Sequence, residues 1–286
     1  MGKAIMVLAV VAAIAVVGAG VAIVVINNNN KDTTPTATIL IEDQDGIYFW
    51  AEGKGNTIAD ALGNLSPGVT VTMTDASFGK YVSAVNGLAE TPYDPAKDTS
   101  YWSFYIYDGT AWKYSDLGVS SVNTSETPTV GLFYVTSDKD TYAIKAGGPD
   151  NVTVPKVEDK VVWDGSTSGT VFAITSHTGM YFYINSAKAG TMLERFQDAT
   201  STYKIAFEAS SSGGISTLFG KGTVKIDEDY LYWVQYSLED GNWAKQSSKM
   251  GNIENADSYA QFALIYAISS MSTGIDTPLP PIYKAS

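Results

Sequence analysis

The 286-residue chain contains no cysteine. That removes disulfides, thiolate metal sites, iron–sulfur clusters and cysteine nucleophiles together. Histidine occurs once, at His177, and arginine once, at Arg195. A histidine-rich metal site is therefore excluded, and bidentate arginine clamps on phosphate nearly so. Charge is scarce as well: 17% of the residues are Asp, Glu, Lys or Arg, against a usual ~25%. The balance is acidic, 30 carboxylates against 18 cations for a net charge of −12, which argues against a nucleic-acid partner. No Walker loop, Rossmann fingerprint, nucleophile elbow or HExxH occurs. The chain reads as a non-enzyme without a cofactor. What it does have is apolar: 45% hydrophobic and 12% aromatic residues, enough for a core and too much for a wholly disordered chain.

Residues 4–26 (AIMVLAVVAAIAVVGAGVAIVVI) are uncharged and almost wholly apolar. As a helix they would span ~34 Å, matching a ~30 Å hydrocarbon core. Lys3 and the N-terminus put positive charge before the run. The positive-inside rule then leaves the N-terminus cytoplasmic and the rest of the chain outside a single-pass cell membrane. The alternative is a cleaved signal and a secreted protein, but that needs a shorter apolar core and a small-residue cleavage site. Residues 27–35 (NNNNKDTTP) are polar and aperiodic and read as a stalk. Sequons at Asn64, Asn123 and Asn151 add only weak support for an extracellular location.

An internal repeat follows. TILIEDQDGIYFW (38–50) aligns with VFAITSHTGMYFY (171–183), and NTIADAL (56–62) with GTMLERF (190–196). VTVTMTDASFGK (69–80) aligns with YKIAFEASSSGG (203–214), YWSFYIYDGTAWK (101–113) with YWVQYSLEDGNWAK (232–245), and VGLFYV (130–135) with FALIYA (262–267). The shared order marks two modules, 36–136 and 168–271, with 137–167 as linker and 272–286 as an extended, proline-bearing tail. Alternation over 38–42 and 69–74 reads as half-buried strand, and Asp108-Gly109 and Asp240-Gly241 as hairpin turns. Thr57 with Asp60, and Thr191 with Glu194, have capping-box spacing and open a short helix in each module. The expected fold class is α+β, β-rich: a transmembrane helix, then two small mixed sheets each with one short helix.

The motifs TIADAL, YVSAVNGL (81–88), YWSFYIYDGTAWKYSDLGVSSV (101–122) and VGLFYV, in that order, resemble the transcobalamin-like C-terminal domain family. The resemblance covers about 100 residues, and the second module follows it less faithfully, with Phe219-Gly220 in place of Asn86-Gly87. It implies a small α+β domain and a ligand-binding or adhesive surface module. In animal cobalamin carriers such a domain walls a corrinoid site opposite a helical barrel, and the strand-like remainder here offers no such barrel.

Four of the six tryptophans pair across the repeat, Trp102 with Trp233 and Trp112 with Trp243. One reading makes Trp102, Phe104, Trp112 and Tyr114 an aromatic platform for a small molecule such as a corrinoid, or for a glycan. The other packs the Tyr101/Tyr105 face on the helix and leaves the tryptophans at the sheet edge, in a structural or adhesive protein without a ligand. The acidic run Glu42-Asp43-Gln44-Asp45-Gly46 reads as a solvated turn, with a calcium loop as the lesser alternative. It fails the EF-hand pattern because Ile41 stands where the first Asp is required. His177 reads as a solvated loop histidine.

Overall fold

The computed structural model describes residues 33–270, 274–275 and 277–284. The first half runs β1 (Thr36–Glu42), β2 (Tyr48–Lys54), α1 (Ile58–Leu62), β3 (Val71–Ala76), β4 (Gly79–Val85), β5 (Leu88–Ala89), β6 (Thr99–Tyr107), β7 (Trp112–Tyr114), β8 (Thr129–Ser137) and β9 (Ile144–Ala146). The second runs β10 (Thr170–Thr175), β11 (Tyr181–Ser186), α2 (Met192–Thr202), β12 (Phe207–Ala209), β13 (Ile215–Leu218), β14 (Val224–Ile226), β15 (Asp229–Glu239), β16 (Asn242–Lys245), β17 (Gln261–Ser270) and β18 (Gly274–Ile275).

The α+β expectation is corrected: among the described residues the strands form four sheets, and only one helix exceeds a turn and a half. Both capping boxes form, Thr57 with Asp60 and Thr191 with Glu194. However, α1 stops after 5 residues at Gly63, and α2 runs for 11. A good N-terminal cap starts a helix but does not lengthen it. Among the described residues no helix is long and apolar enough to cross a membrane, and the segment 4–26 lies outside them.

The repeat reappears as topology. One sheet has the order β2-β1-β8-β6-β7, the other β11-β10-β17-β15-β14. In each, the first strand pairs antiparallel with the second and parallel with the long strand that closes the unit. The turn after each first strand is the same. Asp43 N donates to Ile47 O (3.0 Å) and Gly46 N to Asp43 O (3.1 Å); Ser176 N donates to Met180 O (2.9 Å) and Gly179 N to Ser176 O (3.0 Å).

β1 is not half-buried as its alternation suggested: Thr38, Leu40 and Glu42 are as buried as Ile39 and Ile41. Strands covered on both faces sit at the centre of a sheet. The second cover on this sheet is the segment expected as a linker. Ile144, Val154, Val157 and Val162 pack over Leu40, Trp50, Phe133 and Val135. The expected extended tail does the same for the second sheet. Tyr283 meets Trp163 edge-on (4.6 Å between centroids), Tyr183 Oη donates to Pro281 O (2.9 Å) and Trp243 Nε1 to Pro280 O (2.8 Å).

On their other faces the two sheets share one apolar cluster, drawn from both halves. The contacts across it are reciprocal. Phe49 stacks on its repeat partner Phe182 at 5.1 Å and 15°. Tyr48 meets Phe219 edge-on at 5.2 Å, while its repeat partner Tyr181 accepts, through its carbonyl, a 2.7 Å hydrogen bond from Asn86 Nδ2. Asn86 and Phe219 are themselves partners and both hold positive φ, +42° and +55°. Contacts in which residue i meets j while j's counterpart meets i's are the mark of a two-fold-like interface.

Candidate functional site

Side chains facing each other across an antiparallel pair lie on one face of the sheet, so register decides which aromatics can meet. On β6, Trp102 and Phe104 are 4% and 9% exposed and join the shared core with the α1 residues. The outer face carries Tyr101 and Tyr105 instead, reversing the expectation that the tyrosines pack on the helix. Trp112 pairs with Tyr107 and so lies on that outer face, edge-on to Phe133 at 5.7 Å. It cannot form one platform with Trp102. Trp102 also has a structural duty that the repeat preserves. Its Nε1 donates to Leu88 O (2.9 Å), and Tyr134 Oη to Ala89 O (2.9 Å); Trp233 and Tyr266 donate likewise to Lys221 O (2.8 Å) and Gly222 O (2.9 Å).

Tyr114 pairs with Tyr105 and stands on the outer face as Trp112 does, but it lies at the end of β7, and with Trp102 and Phe104 it lines one cleft of about 280 Å³ around the edge of β6, where β4 parts from β6. Tyr81 and Val82 of β4 form the facing wall, and residues 115–119 close one end. That end is pinned by main-chain bonds: Ser115 N donates to Phe104 O (3.0 Å), and Gly118 N to Phe78 O (3.2 Å). Lys80 N donates to Ser120 Oγ (2.9 Å). Gly118 is needed there, since a Cβ would stand 2.7 Å from Lys80 O and 2.9 Å from Phe78 O. The rim is apolar and open. Phe78, Tyr114 and Leu117 are 54%, 60% and 55% exposed. Tyr81 Oη donates to Glu90 Oε1 at 3.0 Å, and that bond holds its pKa above the ordinary value. Phe78, Tyr81 and Leu117 escaped the sequence reading because they come from separate turns and strands. Their only common signal is their place in motifs 81–88 and 101–122 and the turn before them.

Comparison with family models and with curated proteins returned no match. The site therefore rests on its own geometry.

A second constellation lies where the two repeats meet. The acidic turn read as solvated is buried: Glu42 and Asp43 have no exposed surface. Asp43 Oδ1 accepts from Asp45 N (2.9 Å) and Ile47 N (3.0 Å), and Oδ2 from Thr178 Oγ1 (3.1 Å). His177, expected in solvent, pairs through Nδ1 with the Asp45 carboxylate. The covering surface is the equivalent turn of the other repeat, which local sequence does not reveal. Burial, then the charge of Asp45, pushes Asp43 up to about 6. Burial, then Asp43, pushes Glu42 well above the usual range, and neither of its oxygens has a hydrogen-bond partner among the described residues. For His177 burial pulls the pKa down, but Asp45 outweighs it and the net shift is upward. Among the described residues no group of three or more acidic or histidine side chains is placed to hold a metal.

Proposed function

We propose that the protein is a binding module displayed outside the cell, which takes a small flat ligand in the cleft between β4 and β6. The observation that carries this reading is the open apolar rim of Phe78, Tyr114 and Leu117 over an aromatic floor. Large apolar side chains grouped at the mouth of a concave site mark binding surfaces. The volume lies just below the ~300–1,000 Å³ of common ligand pockets, which favours one small ring system over a macrocycle. The apolar run 4–26 and the motif order shared with transcobalamin-like domains support display and ligand capture. A second reading, a structural surface block, is favoured by the reciprocal junction that fuses the two repeats into one core. A ligand screen of the full chain separates the two. A panel of flat ring compounds and short glycans, followed by amide chemical shifts, should move residues 78–82, 101–104 and 114–119 together. Shifts scattered elsewhere, or none, would favour the structural block.

A further inference from the structure

The floor of the cleft is an unfinished strand edge. On β6 the even-numbered residues turn their main-chain groups toward β7. Asp108 N donates to Ala111 O (3.1 Å), and Phe104 O accepts from Ser115 N (3.0 Å). At the other end Ser100 O accepts from Thr91 N (2.8 Å), and Ser100 N donates to Thr91 Oγ1 (2.8 Å). Alternation along an antiparallel strand then aims the N–H and C=O of Trp102 and the N–H of Phe104 at the same edge, between these two closures. None of the three has a main-chain partner among the described residues. β4, across the cleft, belongs to a different sheet and forms no ladder with β6. Buried main-chain groups are almost always paired, with protein, water or ligand, and these three lie in the wall of an aromatic cleft.

Donor, acceptor and donor in sequence along one edge call for acceptor, donor and acceptor in one plane. A cyclic imide, C=O, N–H, C=O, has that edge. We propose that this strand edge recognises the imide edge of an uncharged pyrimidinedione ring, whether single, as in uracil nucleosides, or fused, as in flavins. The inference rests on the cleft being the binding site. The ring's faces would meet the aromatic side chains of Tyr81 and Tyr114, which offset stacking favours. Asp116 on the cleft wall and the net charge of −12 disfavour a phosphorylated form.

The test is a titration of the full chain with uridine, riboflavin, N3-methyluridine and cytidine, read by calorimetry and by the main-chain amide shifts of Trp102 and Phe104. Uridine or riboflavin should bind and move both amides, and which of the two binds tells single ring from fused. N3-methyluridine, which has lost the central donor, should bind at least about tenfold more weakly, the effect of one lost hydrogen bond. Equal binding of N3-methyluridine or cytidine would overturn the imide assignment and leave the cleft reading intact. So would failure of all four probes while another ring compound shifts the cleft residues. No binder in the cleft from either set overturns both.

Discussion

Phe49 and Phe182 meet where the two repeats face each other, so truncating either tests whether the repeats share a core. Phe182 is almost wholly buried and stacks on Phe49 at 5.1 Å. Removing a buried Phe side chain costs about 3–5 kcal/mol, transfer and cavity terms together. In a unit of this size each kcal/mol moves the melting temperature by roughly 2–4 °C, so Phe182→Ala should lower it by about 6–20 °C. The lesion lies in one half, yet both halves lose packing, so a single cooperative transition should shift as a whole. A double-mutant cycle with Phe49→Ala isolates the stacking, with an expected coupling of about 0.5–1.5 kcal/mol. Thermal unfolding gives the shift and urea unfolding gives the coupling, each followed by far-ultraviolet circular dichroism and by tryptophan fluorescence. Two transitions, of which only one moves, would refute the shared core. A coupling indistinguishable from zero would refute the stack.

The buried junction should make stability depend on pH. Asp43, Glu42 and His177 all have folded-state pKa values above their ordinary ones. Each therefore contributes stability that is fully present below its unfolded pKa and lost as pH rises through the folded one. For Asp43 the window runs from about 4 to 6 and is worth on the order of 2–3 kcal/mol. Unfolding free energy should fall from pH 4 to pH 7, and Asp43→Asn should flatten the slope; a rise with pH would contradict the burial argument. Gly118→Ala forces a Cβ against Lys80 O and Phe78 O, so it should destabilise by about 1–3 kcal/mol and shift the amides of residues 78–82. A neutral Gly118→Ala variant would mean the close approach is not needed.

Much of the fold was legible because it rests on local chemistry repeated twice. Thr57 and Thr191 cap as their spacing required, and the turns after β1 and β10 match because the residues around them match. Non-local decisions were not legible. Trp102 and Trp112 sit on adjoining strands, but the pairing of Tyr107 with Trp112 sends them to opposite faces. The acidic turn looked solvated because the surface that buries it comes from a distant segment, as in the hydrogen bond from Thr178 to Asp43 at a separation of 135. Proline and glycine over 137–167 and beyond residue 272 suggested free segments, yet these segments supply the outer cover of both sheets. The α+β expectation gave too much weight to two good caps and too little to the strands around them.

The cleft reading divides Tyr114 from Trp112, two aromatics of one short strand. Tyr114 is exposed at the rim, whereas Trp112 is half-buried against Phe133 and Tyr107. The decisive measurement is ligand affinity and melting temperature, side by side, for Tyr114→Ala and Trp112→Ala with any ring compound that binds. Tyr114→Ala should weaken binding at least about tenfold, as loss of a stacking partner and its buried area does, with the melting temperature nearly unchanged. Trp112→Ala, at a half-buried site, should cost about 2–3 kcal/mol of stability, less than the ~3–5 kcal/mol of a fully buried Trp, and leave the affinity of the folded protein within a few-fold. The reverse pattern, affinity lost with Trp112 and kept without Tyr114, would move the site along β7 to Trp112, away from the gap between β4 and β6, and contradict the cleft.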